Sequence, residues 1–359
     1  DSPAPCRRST PRTPSRSRSL AQPDRAHPPA LLLSHPLRSA HWAGRAEEQG
    51  AYGDATSNVT AVPDEVWVEV EDSVYRALEP RIYTVRDEKT FTVTQIDPRS
   101  GATWGDLKRF RQLLVVGPAD APWIADVLGA ARDRDRDGSL VQAFDVWARG
   151  QTVTALVTAE GDEQADLLGA LDELRDLYDR QYRQLAEARM FVSGRDSALI
   201  DTLQARADFS LLFPVVYDWA TRDSVYIFRN DNPDPSELIR QVAVTWASPI
   251  PEGMEGEDFL AWRQELVDGH YSDEQVAVLD ALEAGRFTYD GKDAYQIRAV
   301  WQSPPGAWPA GGPFILRAVA CPAQDRMYLL DAWLYAPGKE KYQYMIQLES
   351  ILDSFRCGT

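Results

Sequence analysis

The sequence predicts an α+β protein: two halves of mainly antiparallel sheet packed by helices, the second ending in a two-layer sandwich. Three observations predict it. Short runs rich in Val, Ile, Tyr and Phe alternate with segments of helical period along the body of the chain. One long helical pattern over 161–190 divides the body into an N-terminal half, 53–160, and a C-terminal half, 191–359. The chain closes with three strand-like runs, AYQIRAVW, FILRAVAC and RMYLLDAWLYA, followed by an amphipathic helix, the order of a sheet covered by a packed helix.

Taken in order, residues 1–45 read as a disordered basic leader, rich in Pro, Ser and Arg and without hydrophobic period. The whole chain of 359 residues carries −17, and the leader, with eight Arg against Asp1 and Asp24, carries +6, which leaves −23 for the rest. So acidic a body repels phosphate backbones, which argues against a nucleic-acid partner. No apolar run approaches the roughly 18 residues that span a bilayer, and ALLL, Ala30–Leu33, is shorter than the core of a secretory signal.

The N-terminal half opens with strand NVTAV and a helix begun by Pro63, Asp64 and Glu65, with Val66, Val70, Val74 and Leu78 as its stripe. Strand KTFTVTQI, a short helix from Trp104, strand RQLLVVG and helix APWIADVLGAA follow. VQAFDVWA and TVTALVTAE then make a hairpin reversed at Arg149 and Gly150. In the long helix, Leu167, Leu171, Leu174, Tyr178 and Leu185 mark a core-facing side, interrupted for a coiled coil by Gln181. The C-terminal half predicts a helix over 196–205, strands DFSLLFP, DSVYIFRN and RQVAVTWAS, and helices over 258–267 and 273–282. The last helix runs from Gly338 to Phe355.

Sites of familiar chemistry fail on spacing. DRDRDG opens like a calcium loop with Asp133, Asp135 and Asp137, but its closing position holds Phe144, with Asp145 one residue late. GRFTYDGKD has five residues between Gly285 and Gly291 and Asp293 where a phosphate loop needs Ser or Thr, so DGK reads as a hairpin turn. His27, His35 and His41 fall in the leader, leaving His270 alone in the body, and G-x-S-x-G, H-E-x-x-H and C-x-x-C motifs are missing. No cofactor and no metal is expected, and no catalytic residue is identified. Trp147, Trp246, Trp301 and Trp333 lie in predicted strands and read as core, whereas Trp308, in the Pro-rich loop SPPGAWPA, reads as an exposed ligand contact.

From Gly311 to Phe355 the sequence resembles a family of bacterial envelope proteins catalogued as domain of unknown function (DUF) family 4837. Gly311, Gly312, Pro313 and Phe314 carry the likeness at the start of a strand, Tyr335 and Pro337 at the end of another, with Lys339 or Lys341 after it, and Gln347, Leu348 and Glu349 in the final helix. An earlier stretch, YTVRDEKTFTVTQIDP, is also similar, so the likeness extends over 53–357. It implies an exported protein without known activity, whose partner is an envelope protein or cell-wall component, and whose only membrane contact is a lipid anchor not visible in this chain. A non-catalytic binding role is the leading expectation, and an enzyme with a carboxylate site the alternative. The motif glycines read as scaffold, turning the backbone into an edge of the sheet. Counting rise per residue along the last strands and helix brings Cys321 and Cys357 to the same end. In the oxidising compartment that the resemblance implies, they pair as a disulfide; otherwise they pack as two small apolar side chains.

Overall fold

The computed structural model describes residues 50–132, 139–231 and 237–358, and both the leader 1–45 and the calcium-loop mimic at 133–138 lie outside them. The apolar residues after Ser57 switch between the strand and helix periods, and the chain follows. β1 (Ser57–Ala61) leads into α1 (Asp64–Leu78), which buries Trp67, Val70, Val74 and Leu78 along one side. A small hairpin of β2 (Arg81–Tyr83) and β3 (Asp87–Lys89) precedes β4 (Thr92–Ile96) and α2 (Ala102–Leu107). Next come β5 (Gln112–Pro118), α3 (Pro122–Ala130), β6 (Leu140–Phe144) and β7 (Thr152–Thr158).

These strands form a sheet in the order β4-β1-β5-β7-β6. Helices pack on sheets as expected, but mainly antiparallel pairing does not hold in this half. β1 runs parallel to β4 and β5, and β5 parallel to β7, while β6 and β7 are antiparallel. The crossovers through α1 and α3 make the parallel pairs possible, and helices then cover both faces. Leu113, Leu114, Val115 and Val116 are accordingly all buried, α2 and α3 closing over one face and α1 with α4 (Glu163–Met190) over the other. Along α4 the buried side runs through Leu167, Leu171, Leu174 and Tyr178 to Tyr182, Ala186 and Met190, and Leu185 is half-buried beside it. Trp147 sits in the turn between β6 and β7 rather than in a strand, its indole donating to Asp126 at 3.0 Å.

In the C-terminal half, Asp196 caps α5 (Ser197–Ala207) by accepting from the Leu199 amide at 2.9 Å. β8 (Phe209–Ser210), β9 (Asp218–Arg222), β10 (Val225–Asp231) and β11 (Ile239–Ala247) follow, then α6 (Gly256–His270), opened by a reciprocal capping box of Glu255 and Asp258. β12 (Val276–Tyr289), β13 (Lys292–Gln302), β14 (Gly311–Cys321) and β15 (Arg326–Tyr335) complete a seven-stranded antiparallel sheet in the order β12-β13-β14-β15-β11-β10-β9. α7 (Tyr342–Asp353) and the short β16 (Arg356–Cys357) end the fold.

Three expectations are corrected here. The segment 273–282 enters β12 instead of a helix: pairing with β13 decides, and its register shift between Val278 and Glu283 absorbs the residues whose spacing mimicked a helix. The expected hairpin turn does hold, with Asp290 and Gly291 both at positive φ. The sandwich has three layers rather than two, because β14 and β15 are apolar on both sides. Ile315, Leu330 and Leu334 meet α5 and α7, while Phe314, Leu316 and Trp333 share a cluster with Phe259 of α6. Finally, α7 begins at Tyr342, since Gly338 sits at φ +68° and the Lys341 amide, at the helix start, is capped by Glu88 of β3 at 2.7 Å. Through this cap and Ile346, which packs among α1 and α4 residues, the two halves join in one compact unit, Glu47–Thr359.

Candidate functional site

The loop between β13 and β14 is built to hold its shape. Pro304, Pro305 and Pro309 fix three φ angles, and Gly306 turns at φ +93°. The amide of Ser303 bonds to Ala310 across the base at 2.9 Å, and that of Ala307 bonds to Pro304 at 3.1 Å. Trp308, ahead of a proline and so held extended, is presented 83% exposed.

Below it lies a recess of about 350 Å³, walled by Trp301, Trp308, Trp333 and Tyr335, with Ser272, Asp273 and Glu274 along its rim. Trp301 and Trp333 meet edge to face at 5.4 Å, and Tyr335 lies 6.4 Å from Trp301. The motif glycines explain how Trp301 is held. They open an interior strand between β13 and β15, which corrects the expectation of a turn into an edge. A Cβ on Gly312 would stand 1.7 Å from the Leu334 carbonyl oxygen and 3.0 Å from Trp301 Nε1. Only a hydrogen there lets the indole donate to that same carbonyl at 3.2 Å. Pro313, lacking an N–H, precedes the first β14–β15 pair, Phe314 with Trp333.

Charged groups support the floor. Arg229 lies 5.7 Å from the Trp333 ring, donates from Nε to Asp231 at 2.8 Å and from Nη1 to Asp273 at 2.9 Å. Deeper, Arg263 and Asp331 form a fully buried ion pair at 2.9 Å, the guanidinium 3.9 Å from the Phe314 ring and also donating to Gln275 at 2.6 Å. Tyr271 donates to the second Asp331 oxygen at 2.7 Å, and burial together with that negative charge pushes its phenol well above the ordinary range. The indole Nε1 of Trp333 has no acceptor among the described residues.

The other sequence candidates are elsewhere. Leu348 is core, Gln347 accepts from Arg240 at 3.1 Å, and Glu349 is buried between Arg298 and Arg183, the latter at 2.8 Å. Lys341 pairs with Glu88 at 2.6 Å, and Pro337 is exposed just after β15. Cys321 and Cys357 are joined by a disulfide with Cα atoms 6.0 Å apart, at the far end of β14 from the recess. His270 approaches Arg222 at 3.4 Å, with no nucleophile beside it among the described residues. The structure thus gathers Trp308, Gly311, Gly312, Phe314 and Tyr335 around one place. It also adds Trp301, Trp333, Asp273 and Glu274, which sequence reasoning misses: the first two read as core, and the two acids fall in a stretch whose spacing reads as helix. A second recess of about 590 Å³ is polar, lined by Ser57, Thr92 and Arg111 at the N-terminal ends of β1, β4 and β5. That is the opposite end from the carboxyl ends where open α/β sheets hold ligands.

None of the curated proteins compared with the chain matches it. Among solved structures it is similar to cyanobacterial PsbP (CyanoP) from Synechocystis sp., 14% identical over 42% of this chain and 86% of that one, with a TM-score of 0.30. Another is LpqN, involved in cell envelope biogenesis of Mycobacterium tuberculosis, at 11% identity, 42% and 83% coverage, and 0.28. The Saccharomyces cerevisiae Ran-binding protein Mog1p gives 10% identity, 42% and 90% coverage, and 0.28. A family model described as Domain of unknown function (DUF4837) matches residues 196–354, so the stretch from Tyr83 to Pro98 lies outside the match. The recess lies wholly inside the matched stretch.

Proposed function

We propose that this is a non-catalytic binding protein of the cell envelope, which holds a partner protein or a cell-wall component at the recess under Trp308. One observation carries the reading: a large aromatic side chain, 83% exposed, is fixed by a proline-braced loop over further aromatic walls. Leaving an indole in water is unfavourable unless something covers it, and holding it rigid lowers the entropy cost of covering. The enzyme alternative has no comparable support. Among the described residues the buried carboxylates Glu79, Glu88, Asp331 and Glu349 each already hold a Lys or Arg. The disulfide between Cys321 and Cys357 suits an oxidising compartment and supports the envelope placement.

The test is photocross-linking in intact cells, with a photoreactive amino acid at position 308 and, as control, at Val192, which is 87% exposed and outside the recess. A discrete adduct from position 308 and none from 192 is expected. Equal labelling from both positions would remove the recess as the binding site.

A further inference from the structure

We infer that the recess takes a cationic side chain, the Lys or Arg of a basic peptide segment. This deepens the reading above and rests on it. The argument begins with what the protein does with its own cations. Arg229 lies against the Trp333 ring and is held by Asp231 and Asp273. Arg263 lies against the Phe314 ring and is held by Asp331. In both, an aromatic surface attracts the guanidinium and a carboxylate neutralises it, a pairing that gains strength when water is excluded.

The lining of the recess offers the same two kinds of group. Trp308 supplies the ring, and Glu274 supplies the carboxylate. Glu274 is exposed and makes neither a hydrogen bond nor an ion pair among the described residues. Arg229 already holds Asp231 and Asp273, so Glu274 adds a further negative charge to the lining of the recess. The long-range field has the same sign, since the chain beyond residue 45 carries −23. An anionic ligand would meet repulsion at both ranges, and a neutral one would leave Glu274 unused. A cation gains from both and is steered toward the site. A basic segment rather than a lone amine fits the dimensions: about 350 Å³ is room for a long side chain together with the backbone that carries it.

The experiment is calorimetric titration of the full chain with three probes: an acetylated, amidated Lys-Gly repeat peptide, a Ser-Gly peptide of equal length, and a neutral N-acetylglucosamine oligomer. The lysine peptide should bind saturably and the Ser-Gly peptide should not. Glu274→Gln and Trp308→Ala should each weaken binding roughly threefold to thirtyfold, the range expected for losing one cation–π or charge contact. Asp201→Asn, an exposed carboxylate on α5 across the sheet, should leave it unchanged. Should Asp201→Asn weaken binding as much as Glu274→Gln, the attraction belongs to the whole acidic surface and the inference fails. Binding of the saccharide alone overturns the cationic class and leaves the recess as a binding site. If no probe binds while circular dichroism shows a folded chain, the cationic inference falls, and the cross-linking result at position 308 decides the wider reading separately.

Discussion

At the scale of single residues, Gly312 makes the clearest claim. The Leu334 oxygen that a methyl group would overlap belongs to the backbone of an interior strand, so it has little room to move. Gly312→Ala should therefore cost about 2–3 kcal/mol in urea unfolding, toward the upper end for overpacking in a core. Gly311→Ala meets the Trp301 carbonyl at 3.0 Å and should cost distinctly less. Equal costs at the two positions would contradict this account of the motif. A second residue-scale consequence concerns pH. Burial pushes the phenols of Tyr178 and Tyr217 up to about 12, above the ordinary value near 10. In that window the unfolded chain loses these protons and the folded chain keeps them, so their contribution is intact below about pH 10 and is lost as pH rises toward 12. Thermal melts should fall steeply across the window in the native protein and less steeply in the double variant Tyr178→Phe, Tyr217→Phe. Parallel slopes would show that other groups govern the alkaline limit.

At the scale of elements, legibility followed the source of each signal. The runs that became β13, β14, β15 and α7 were readable because burial writes a dense apolar pattern and the hairpin turns carry Asp and Gly. The segment 273–282 was misread because Val276, Leu279 and Leu282 sit at helical spacing among good helix formers, while the pairing that overrides them comes from β13. That spacing hides Asp273 and Glu274 and with them the acidic part of the recess lining. β9 was missed for the opposite reason: an exposed edge strand, DWATR, has no buried face to pattern it. The continuous apolar run LLVV in β5 does hold the signature of a parallel, doubly covered strand, and could have been read so. Chain length alone placed Cys321 beside Cys357, and the bond between them ties the end of β14 to β16 across a sequence separation of 36. The chain-entropy model credits such a loop with about 4 kcal/mol. Replacing both cysteines with alanine should lower unfolding stability by about 2–4 kcal/mol relative to the oxidised protein. A loss below about 1 kcal/mol would mean that the closed loop is already constrained in the unfolded chain.

For the whole molecule, composition separates a basic leader from an acidic body that buries its own core. Nothing in residues 1–45 offers apolar surface enough to offset the entropy of ordering it, so their deletion should leave the melting temperature within a degree or two. A drop of about ten degrees would place the leader within the folding unit. The body joins two sheets through α4 and α7, and among the described residues the aromatic recess lies on the seven-stranded sheet. The central claim is that ligands meet the molecule there. It is tested most directly by NMR of the protein labelled with fluorotryptophan, resonances assigned by single Trp→Phe variants, during titration with the lysine peptide and with the saccharide. The account predicts saturable shifts for Trp308, Trp301 and Trp333, with Trp67 and Trp104 of the N-terminal half unmoved. Saturable shifts confined to Trp67 or Trp104, or binding that leaves Trp308 unmoved, would contradict it.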